Sequence, residues 1–533
     1  MRQNHLSPAL LCGVAAAVPA ACAAQQGTGG RESGRPNIVY IMTDDHAYQT
    51  VGAYGHPISR LAPTPNIDRL AREGMLFREA FVENSISAPS RATLLTGVYS
   101  HRHGQTTLSY GIMDTTLVHF PELLRAEGYR TAIFGKWHLS VEPKGFDHYD
   151  LLWDQGEYYN PVMRTPETGG RYVRQEGYAT DIITDHALAW LDGHRDDDAP
   201  FCLMIHHKAP HRNWMADLKY LDLYEDVEFP EPETLFDDYA TRGDQMRQQQ
   251  LTIDRHMGYA FDFKVEELKD EPTLQYIHDS WDIAMSTLTP EQRRVWDDSY
   301  GRKNRDFLAD RPEGKELLRW KYQRYIHDYC RTIRSVDDQI GRVLDYLEEN
   351  GLMDNTLIVY TSDQGFLLGE HGFYDKRFMY EESFRTPLIM AWRGHIRPGT
   401  VCRELVQNID YAPTLLDAAG VAVPDGMDGV SLQPLFRSGK ARGWRTSLYY
   451  QYYDYPAVGS VRAHYGIRTD RYKLIHWFGP GADGDPDIDF WELYDLKRDP
   501  CEVHNVYEVR GYLPVRRELT QLLAEKRGEL GIR

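Results

Sequence analysis

The sequence predicts an α/β fold, a mixed but mostly parallel central sheet flanked by helices, with a smaller C-terminal antiparallel-sheet subdomain. Three observations carry this reading. Four short apolar runs each end on polar or charged residues, helical patterns lie between them, and from roughly Gly429 the pattern shifts to short alternating strands. Runs rich in Ile, Val and Leu without alternation suit parallel strands buried on both faces. In such sheets ligands gather at the carboxyl ends of the strands.

At the N-terminus, "MRQNHLSPALLCGVAAAVPAAC" carries one early Arg2 and then a run of small apolar residues. It reads as a signal peptide over residues 1–22, too short to serve as a mature membrane span. "VPAAC" resembles a bacterial lipoprotein cleavage box with Cys22 as the lipidated residue. Ordinary cleavage around Ala21 to Ala24 is the competing reading. The location expected is exported, at the periplasm or cell surface, with the membrane reached only through a lipid anchor. Residues 23–35, rich in Gly, Ser and Gln, form a tether.

The main domain is expected over residues 36–428. Its strands are "NIVYIM" ending on "TDDH", "TAIF" on "GKWH", "FCLMIH" on "HKAPH" and "TLIVYT" on "SDQG". Helices are expected at "PTPNIDRLAREGM", at "FPELLRAEGYR" and along a stretch from Gly314 whose apolar residues keep helical spacing until Gly351 stops it. Residues 212–315, acidic, aromatic and poorly periodic, read as an insertion shaping a pocket rim. Residues 429–533 hold "SLYYQYY", "HYGIRTDRYKLIHWF" and "FWELYDL", alternating strands separated by turn signals.

The formal net charge of -19 excludes a general nucleic-acid binder, because no basic excess can neutralise phosphates. A small anionic substrate stays possible, since a few local cations outweigh a distant acidic surface. Cys202, Cys330, Cys402 and Cys501 show no metal spacing. Buried free thiols are expected at Cys202 and Cys330; a Cys402–Cys501 bridge is permitted but not indicated.

"SAPSRATLLTG", from Ser87 to Gly97, admits two readings. It can be a plain helix start, with serine at the cap and proline in the first turn. It can also put Ser87 where a helix offers free N–H groups and its positive dipole end, with Arg91 one turn on. The strand ends favour a site. Asp44 and Asp45, Lys136 and His138, His211, and Asp363 and Gln364 all lie at or just beyond predicted strand termini.

Together these stretches resemble the formylglycine-dependent sulfatases. The resemblance runs through "RPNIVYIMTDDH", "SAPSRATLLTG", "GKWHL", "KAPH" and "SDQGFLLGEHGFYDKRFMYEESFRTP", most of the chain from Arg35 on. It implies an alkaline-phosphatase-like fold. It also implies that Ser87 is oxidised to formylglycine by a radical-type maturing enzyme. Asp44, Asp45, Asp363 and Gln364 match the metal ligands, joined by the modified Ser87. Oxygen ligands suit one hard cation such as calcium. Many family members have Asn where this chain has Gln364. Arg91, Lys136, His138, His211 and Lys376 match the remaining catalytic positions.

On this resemblance an aldehyde hydrate attacks sulfur, activated by the metal and Arg91, while Lys136 and Lys376 neutralise sulfate oxygens. His211 protonates the leaving alcohol, and His138 helps remove a proton from the second hydroxyl so that sulfate leaves. The substrate implied is a sulfated oligosaccharide, closest in look to exo-acting removal of 6-O-sulfate from N-acetylglucosamine in host glycans. Sulfates of galactose, uronate or algal polysaccharide are alternatives. So are a phosphatase or phosphodiesterase of the same superfamily and an inactive glycan-binding lipoprotein. His464 is a candidate substrate contact. His46, His206 and His207 are expected as packing or supporting groups, His371 as structural near the metal, and Glu381, Glu382 and Arg385 as a structural ion-pair network.

Overall fold

In the computed structural model, which describes residues 34–480 and 487–532, the four apolar runs become four neighbouring strands at the middle of one sheet. The signal peptide, Cys22 and residues 23–33 of the tether lie outside the described residues. Across the sheet the ten strands are Thr400–Cys402, Met75–Phe77, Leu388–Ala391, Thr356–Ser362, Asn37–Thr43, Phe201–His206, Arg130–Gly135, His148–Leu152, Val162–Arg164 and Val173–Arg174. The five from Thr356–Ser362 to His148–Leu152 are parallel. Leu388–Ala391 is antiparallel to both its neighbours.

The first strand shows why the run is continuously apolar. Val39 and Ile41 pack on one face with Val336, Ile340 and Val343 of the long helix Gly314–Glu349. Ile38, Tyr40 and Met42 pack on the other face with Ala92 and Leu95 of helix Ser87–Thr96 and with Leu415 of helix Tyr411–Ala418. A strand covered on both sides has no solvent face on which to place a polar residue. Gly351, at φ +66°, lies just beyond the long helix, where a left-handed residue costs glycine least.

Register sets the level at which each strand ends. Thr43 pairs with Ser362 and Gly135 with His206, so neighbouring strands end nearly level. Asp44 and Asp363, the next residues, therefore emerge side by side, with Lys136 two strands away.

One region differs from expectation. The stretch 212–315 carries helices Gln275–Ser286 and Pro290–Ala309. The second announces itself by a reciprocal Thr289–Gln292 cap next to Pro290. Cys202, Cys330, Cys402 and Cys501 are free thiols, the first two buried as expected, and the bridge permitted between Cys402 and Cys501 is not formed. No helix among the described residues is long and apolar enough to cross a membrane.

The C-terminal sheet holds Ser447–Tyr452, His464–Thr469, Tyr472–Gly479 and Ile488–Asp495 in sequential antiparallel order. It meets the main sheet through a buried ion-pair network. Arg468 pairs with Glu79 (2.7 Å) and Glu381 (3.2 Å), and Arg385 reaches Glu381 at 2.6 Å. Lys473, fully buried, lies 2.9 Å from Glu381 and 2.7 Å from Glu502. Burial alone would raise the Glu381 carboxyl, but Arg468, Lys473 and Arg385 together hold it well below the usual range. Glu382, expected in this network, makes no ion pair among the described residues; burial beside Glu370 and Glu502 pushes it well up instead.

Removing one member of a buried pair strands its partner's charge, which costs about 3–5 kcal/mol. Lys473→Met should therefore lower the unfolding free energy, read from a denaturant titration, by an amount in that range, with a lower midpoint. An unchanged midpoint would mean that Glu381 and Glu502 are satisfied without Lys473.

Candidate active site

The site is built on the strand ends. Asp44 and Asp45 come directly after the first strand, Lys136 after Arg130–Gly135, and Asp363 and Gln364 after Thr356–Ser362. Gly135 has φ +99°, and a Cβ there would lie 2.0 Å from the His206 carbonyl oxygen. Only glycine lets the backbone turn at that closeness, and the turn lets the Lys136 N–H donate to the same oxygen at 2.8 Å. Asp45 is also left-handed, at φ +68°. Its carbonyl accepts a 2.6 Å hydrogen bond from the Tyr329 hydroxyl, which in turn accepts the Ala47 N–H at 2.7 Å.

Ser87 opens a buried helix, but not as its cap. Ile86, in extended conformation, is the cap residue, and Ser87 is the first helical residue. Pro89 is thus the third helical residue, still within the turn whose N–H groups lack carbonyl partners. The Ser87 hydroxyl is spared from capping and donates to Asp44 Oδ1 at 3.1 Å. Arg91, one turn on and 1% exposed, spans the cluster: its Nη2 is 3.0 Å from Asp363 Oδ2 and 3.9 Å from Asp44 Oδ1. Lys136 Nζ pairs with Asp44 Oδ2, and Lys376 Nζ is 2.6 Å from Asp45 Oδ2.

Three buried carboxylates thus face three buried cations, and the charges shape one another. Burial would raise Asp44, yet Lys136, His211, Arg91 and Lys376 hold it well below the usual range. Asp45 is pushed up to about 7 by burial and its acidic neighbours, against Lys376. Asp363 is pushed up to about 6 by burial and Asp44, against Arg91 and Lys136. A cation among these oxygens would relieve the crowding.

The donor set fits such a cation. Gln364 turns its amide nitrogen to Asp363 Oδ1 (2.7 Å) and Asp45, since carboxylates only accept. Its buried Oε1 is left with no hydrogen-bond donor, an acceptor a hard cation could use. Among the described residues, one group of His, Cys, Asp or Glu side chains converges closely enough to hold an ion: Asp44, Asp45 and His211, with ligand atoms within 4.8 Å of one another. Asp363, expected as a ligand, here gives Oδ2 to Arg91.

His211 Nδ1 lies 2.7 Å from the Arg212 carbonyl, which can only accept, so that nitrogen carries the proton. Nε2 is left facing the cavity, 3.8 Å from Asp45 Oδ2. Burial, aided by Lys136, Lys376 and Lys208, pulls His211 well below its ordinary value against Asp44. His138 is also pulled well down, by burial and then Lys136. Gln155 sits between two expected residues. Its Oε1 must accept from Lys136, so its amide N–H faces His138 Nε2 at 2.7 Å.

Sequence reasoning missed Gln155, Tyr329 and Lys208. Lys208 lines the cavity and is pulled down to about 8 by burial. It stands inside "KAPH", where His211 is the more conspicuous residue. Gln155 and Tyr329 carried no comparable signal, because their partners are 17 to 284 residues away.

His464 is a correction. It is fully buried, Nε2 accepts the Met379 N–H at 3.1 Å, and Nδ1 lies 2.8 Å from the Arg462 carbonyl. Its ring stacks on Trp477 at 4.0 Å. Neither nitrogen is left for a substrate. His371 is structural as expected, but its partners are Asp237 (2.7 Å) and Arg242 (3.3 Å), not the acidic cluster. His46 bonds to Tyr360, and burial pulls it down to about 3. His206 supports the site through its carbonyl on Lys136, and the His207 N–H pairs with the Met42 carbonyl.

Above the charged floor opens a cavity of about 480 Å³. Ser87, His138, His211 and Lys376 face it from below, with the Asp375–Arg377 pair (3.6 Å) at its side. A hydroxyl at a helix N-terminus, ringed by buried cations and open to such a cavity, is arranged to transfer an anionic group.

Comparison with known proteins gives that group. Residues 36–421 match the sulfatase family, and residues 369–529 match the C-terminal region of N-sulphoglucosamine sulphohydrolase. The chain is 44% identical over 525 residues to N-acetylglucosamine-6-O-sulfatase of Bacteroides thetaiotaomicron, covering 97% of this chain and 90% of that protein. It is 28% identical over 546 residues to a multifunctional alkaline phosphatase superfamily protein of Trinickia caryophylli, covering 91% and 94%. A solved structure of a protein in complex with its substrate D-glucosamine-2-N,6-O-disulfate superposes with a TM-score of 0.86 at 43% identity, covering 93% of this chain and 98% of the other. With the strand-end carboxylates, the helix-borne Ser87 and its cations already in place, the chain belongs to the sulfatase family and is a sulfate-ester hydrolase.

Proposed function

We propose that the enzyme removes 6-O-sulfate from N-acetylglucosamine at the end of a host glycan chain, acting with Ser87 as formylglycine. The observation that carries the sugar assignment is the 44% identity, across 97% of the chain, to a protein bearing that activity in its name. The site chemistry supports the rest. The formylglycine hydrate would supply the oxygen that attacks sulfur, and a calcium-like ion would stabilise its charge. Asp44, Asp45, Asp363 and the orphaned Gln364 Oε1 would hold the ion.

The remaining roles belong to the side chains around that centre. Arg91 keeps Asp363 ionised and offers a second charge at the helix end. Lys136 and Lys376, paired here with Asp44 and Asp45, would be free to meet sulfate oxygens if those carboxylates held a cation. His211, oriented by the Arg212 carbonyl with Nε2 toward the cavity, would protonate the leaving oxygen. A bound anion raises its affinity for that proton, opposing the three lysines that depress it. His138, whose Nε2 accepts from Gln155, would take the later proton that frees sulfate by exchanging that bond for one to the hydroxyl. Export, lipidation at Cys22 and maturation by a radical enzyme belong to the same reading, supported by the leader and by serine rather than cysteine at position 87.

The test of the nucleophile is a mass. The peptide carrying Ser87, isolated from the native host, should be lighter by the two hydrogens lost in oxidation. Ser87→Ala should fall below about a thousandth of the matured enzyme's activity, as nucleophile removal generally does. It should still fold, because Ser87 makes no cap hydrogen bond to lose. Activity near wild type would end the formylglycine reading.

Metal analysis should find about one equivalent of calcium or magnesium, as oxygen-only ligation predicts. Two equivalents of zinc would favour the phosphatase alternative.

General acid catalysis is worth roughly 10²–10⁴-fold, and most where the leaving group is a poor one. His211→Ala should therefore lose far more kcat/KM on a sugar 6-sulfate than on nitrophenyl sulfate, while His138→Ala shows less of that bias. Equal losses for His211→Ala on the two substrates would move the acid to another residue.

A further inference from the structure

The outer wall of the cavity differs in kind from its floor. Trp153 and Ile283 both line it, at 55% and 62% exposure. Met215, Phe261 and Val458 extend the same apolar surface. Trp153 is the only tryptophan among the exposed large hydrophobic side chains of the described residues. Exposed apolar groups scattered singly need no explanation, but a large aromatic and a branched aliphatic sharing a pocket mouth do.

The Trp153 loop is also fixed in place. The Trp153 N–H donates to Val162 O at 3.2 Å, and its carbonyl accepts the Gly156 N–H at 2.8 Å. Asp154 accepts the Tyr110 hydroxyl at 2.6 Å. Gln155, the next residue, is the one that bridges Lys136 and His138. The backbone that carries the indole is therefore held at a set height above the catalytic floor, so the loop needs little ordering when something lands on it. Ile283 comes from a different element, the helix Gln275–Ser286.

We infer that Trp153 and Ile283 form a second sugar subsite, which takes the apolar face of the residue glycosidically linked to the sulfated sugar. This rests on the proposed function. The sulfate must lie on the charged floor beside Ser87, so its own sugar fills the middle of the cavity. What remains at the mouth is the neighbouring residue of the chain. A pyranose presents a face of C–H groups, the natural complement of an indole, while its hydroxyls point outward to water or to Asp154. An acetyl group alone would leave most of that aromatic surface uncovered. The natural substrate is thus an oligosaccharide carrying the sulfated sugar at its end, and the monosaccharide sulfate uses only the inner half of the cavity.

The experiment compares kcat/KM on N-acetylglucosamine 6-sulfate and on a trisaccharide bearing the same sulfated residue at its non-reducing end. Wild type should prefer the trisaccharide by about tenfold, roughly 1.4 kcal/mol. Trp153→Ala should erase that preference through KM while leaving the monosaccharide rate within about twofold, and Trp153→Phe should restore most of it. Ile283→Ser, on the helix Gln275–Ser286, should move in the same direction. Equal losses of Trp153→Ala on both substrates would make the indole a support for the floor and overturn the subsite. So would an unchanged trisaccharide preference in both variants. A wild-type enzyme that cleaves nitrophenyl sulfate but neither sugar sulfate would instead overturn the proposed substrate, and this subsite with it.

Discussion

The centre of this molecule depends on three carboxylates placed side by side where water cannot reach them. Parallel register brings Asp44 and Asp363 out of adjacent strands at the same level, and Asp45 comes directly after. An ionised carboxylate in such a place is tolerated only with a partner. Each cation that answers comes from a different part of the chain: Arg91 from a helix, Lys136 from a neighbouring strand end, Lys376 from the segment after Gln364. The depressed Asp44 and the raised Asp45 and Asp363 are the residue of an incomplete balance. A cation among these oxygens would complete that balance and would leave Lys136 and Lys376 free to meet an anion.

The C-terminal sheet acquires its purpose from this constraint. Lys376 lies on an irregular segment, with Arg377 at φ +91° just after it. That segment is held from behind. The Tyr450 hydroxyl donates to the Arg377 carbonyl at 2.7 Å, the Met379 N–H donates to His464, and Lys473 donates to the Met379 carbonyl at 2.7 Å. His464 therefore acts at one remove from the chemistry, as a positioning group for the stretch that carries Lys376. Its neighbour Lys473 joins that task to the buried ion network. A sheet remote in sequence from the strand ends thus fixes one of the three cations on which they depend.

How much of this was legible depends on the range of the forces involved. Strands buried on both faces write continuous apolar runs, and residues at their ends sit next to them in sequence, so Asp44, Lys136 and Asp363 could be read directly. The helix at Ser87 was legible in kind but not in phase. Serine and proline both suit a first turn, and local preference does not distinguish a cap from the residue after it. His464 misled because a histidine in a strand looks the same whether its ring meets a sugar or a tryptophan. Gln155 and Tyr329 were invisible for the converse reason, since their hydrogen bonds depend entirely on tertiary placement. The helix Pro290–Ala309 had its cap in plain sight, but a helix with mixed polar faces in an acidic region gives a weak period.

The division between floor and rim has a consequence for how such an enzyme can change. The floor is made of strand ends whose positions are set by register, so any shift of one residue disturbs the balance of buried charge. The rim is made of the loop after His148–Leu152 and of helices within 212–315, which make no strand of the central sheet. Substitution at Trp153 or Ile283 alters exposed surface and leaves the three ion pairs untouched. Gln155 is the exception, because it belongs to the rim loop and yet holds both Lys136 and His138. A change made by moving that loop would therefore act on Lys136 and His138 as well, whereas a change made on the helix Gln275–Ser286 would not. On the proposed reading, substrate recognition would be free to vary on the helix side of the cavity and tied to the site's charges on the loop side.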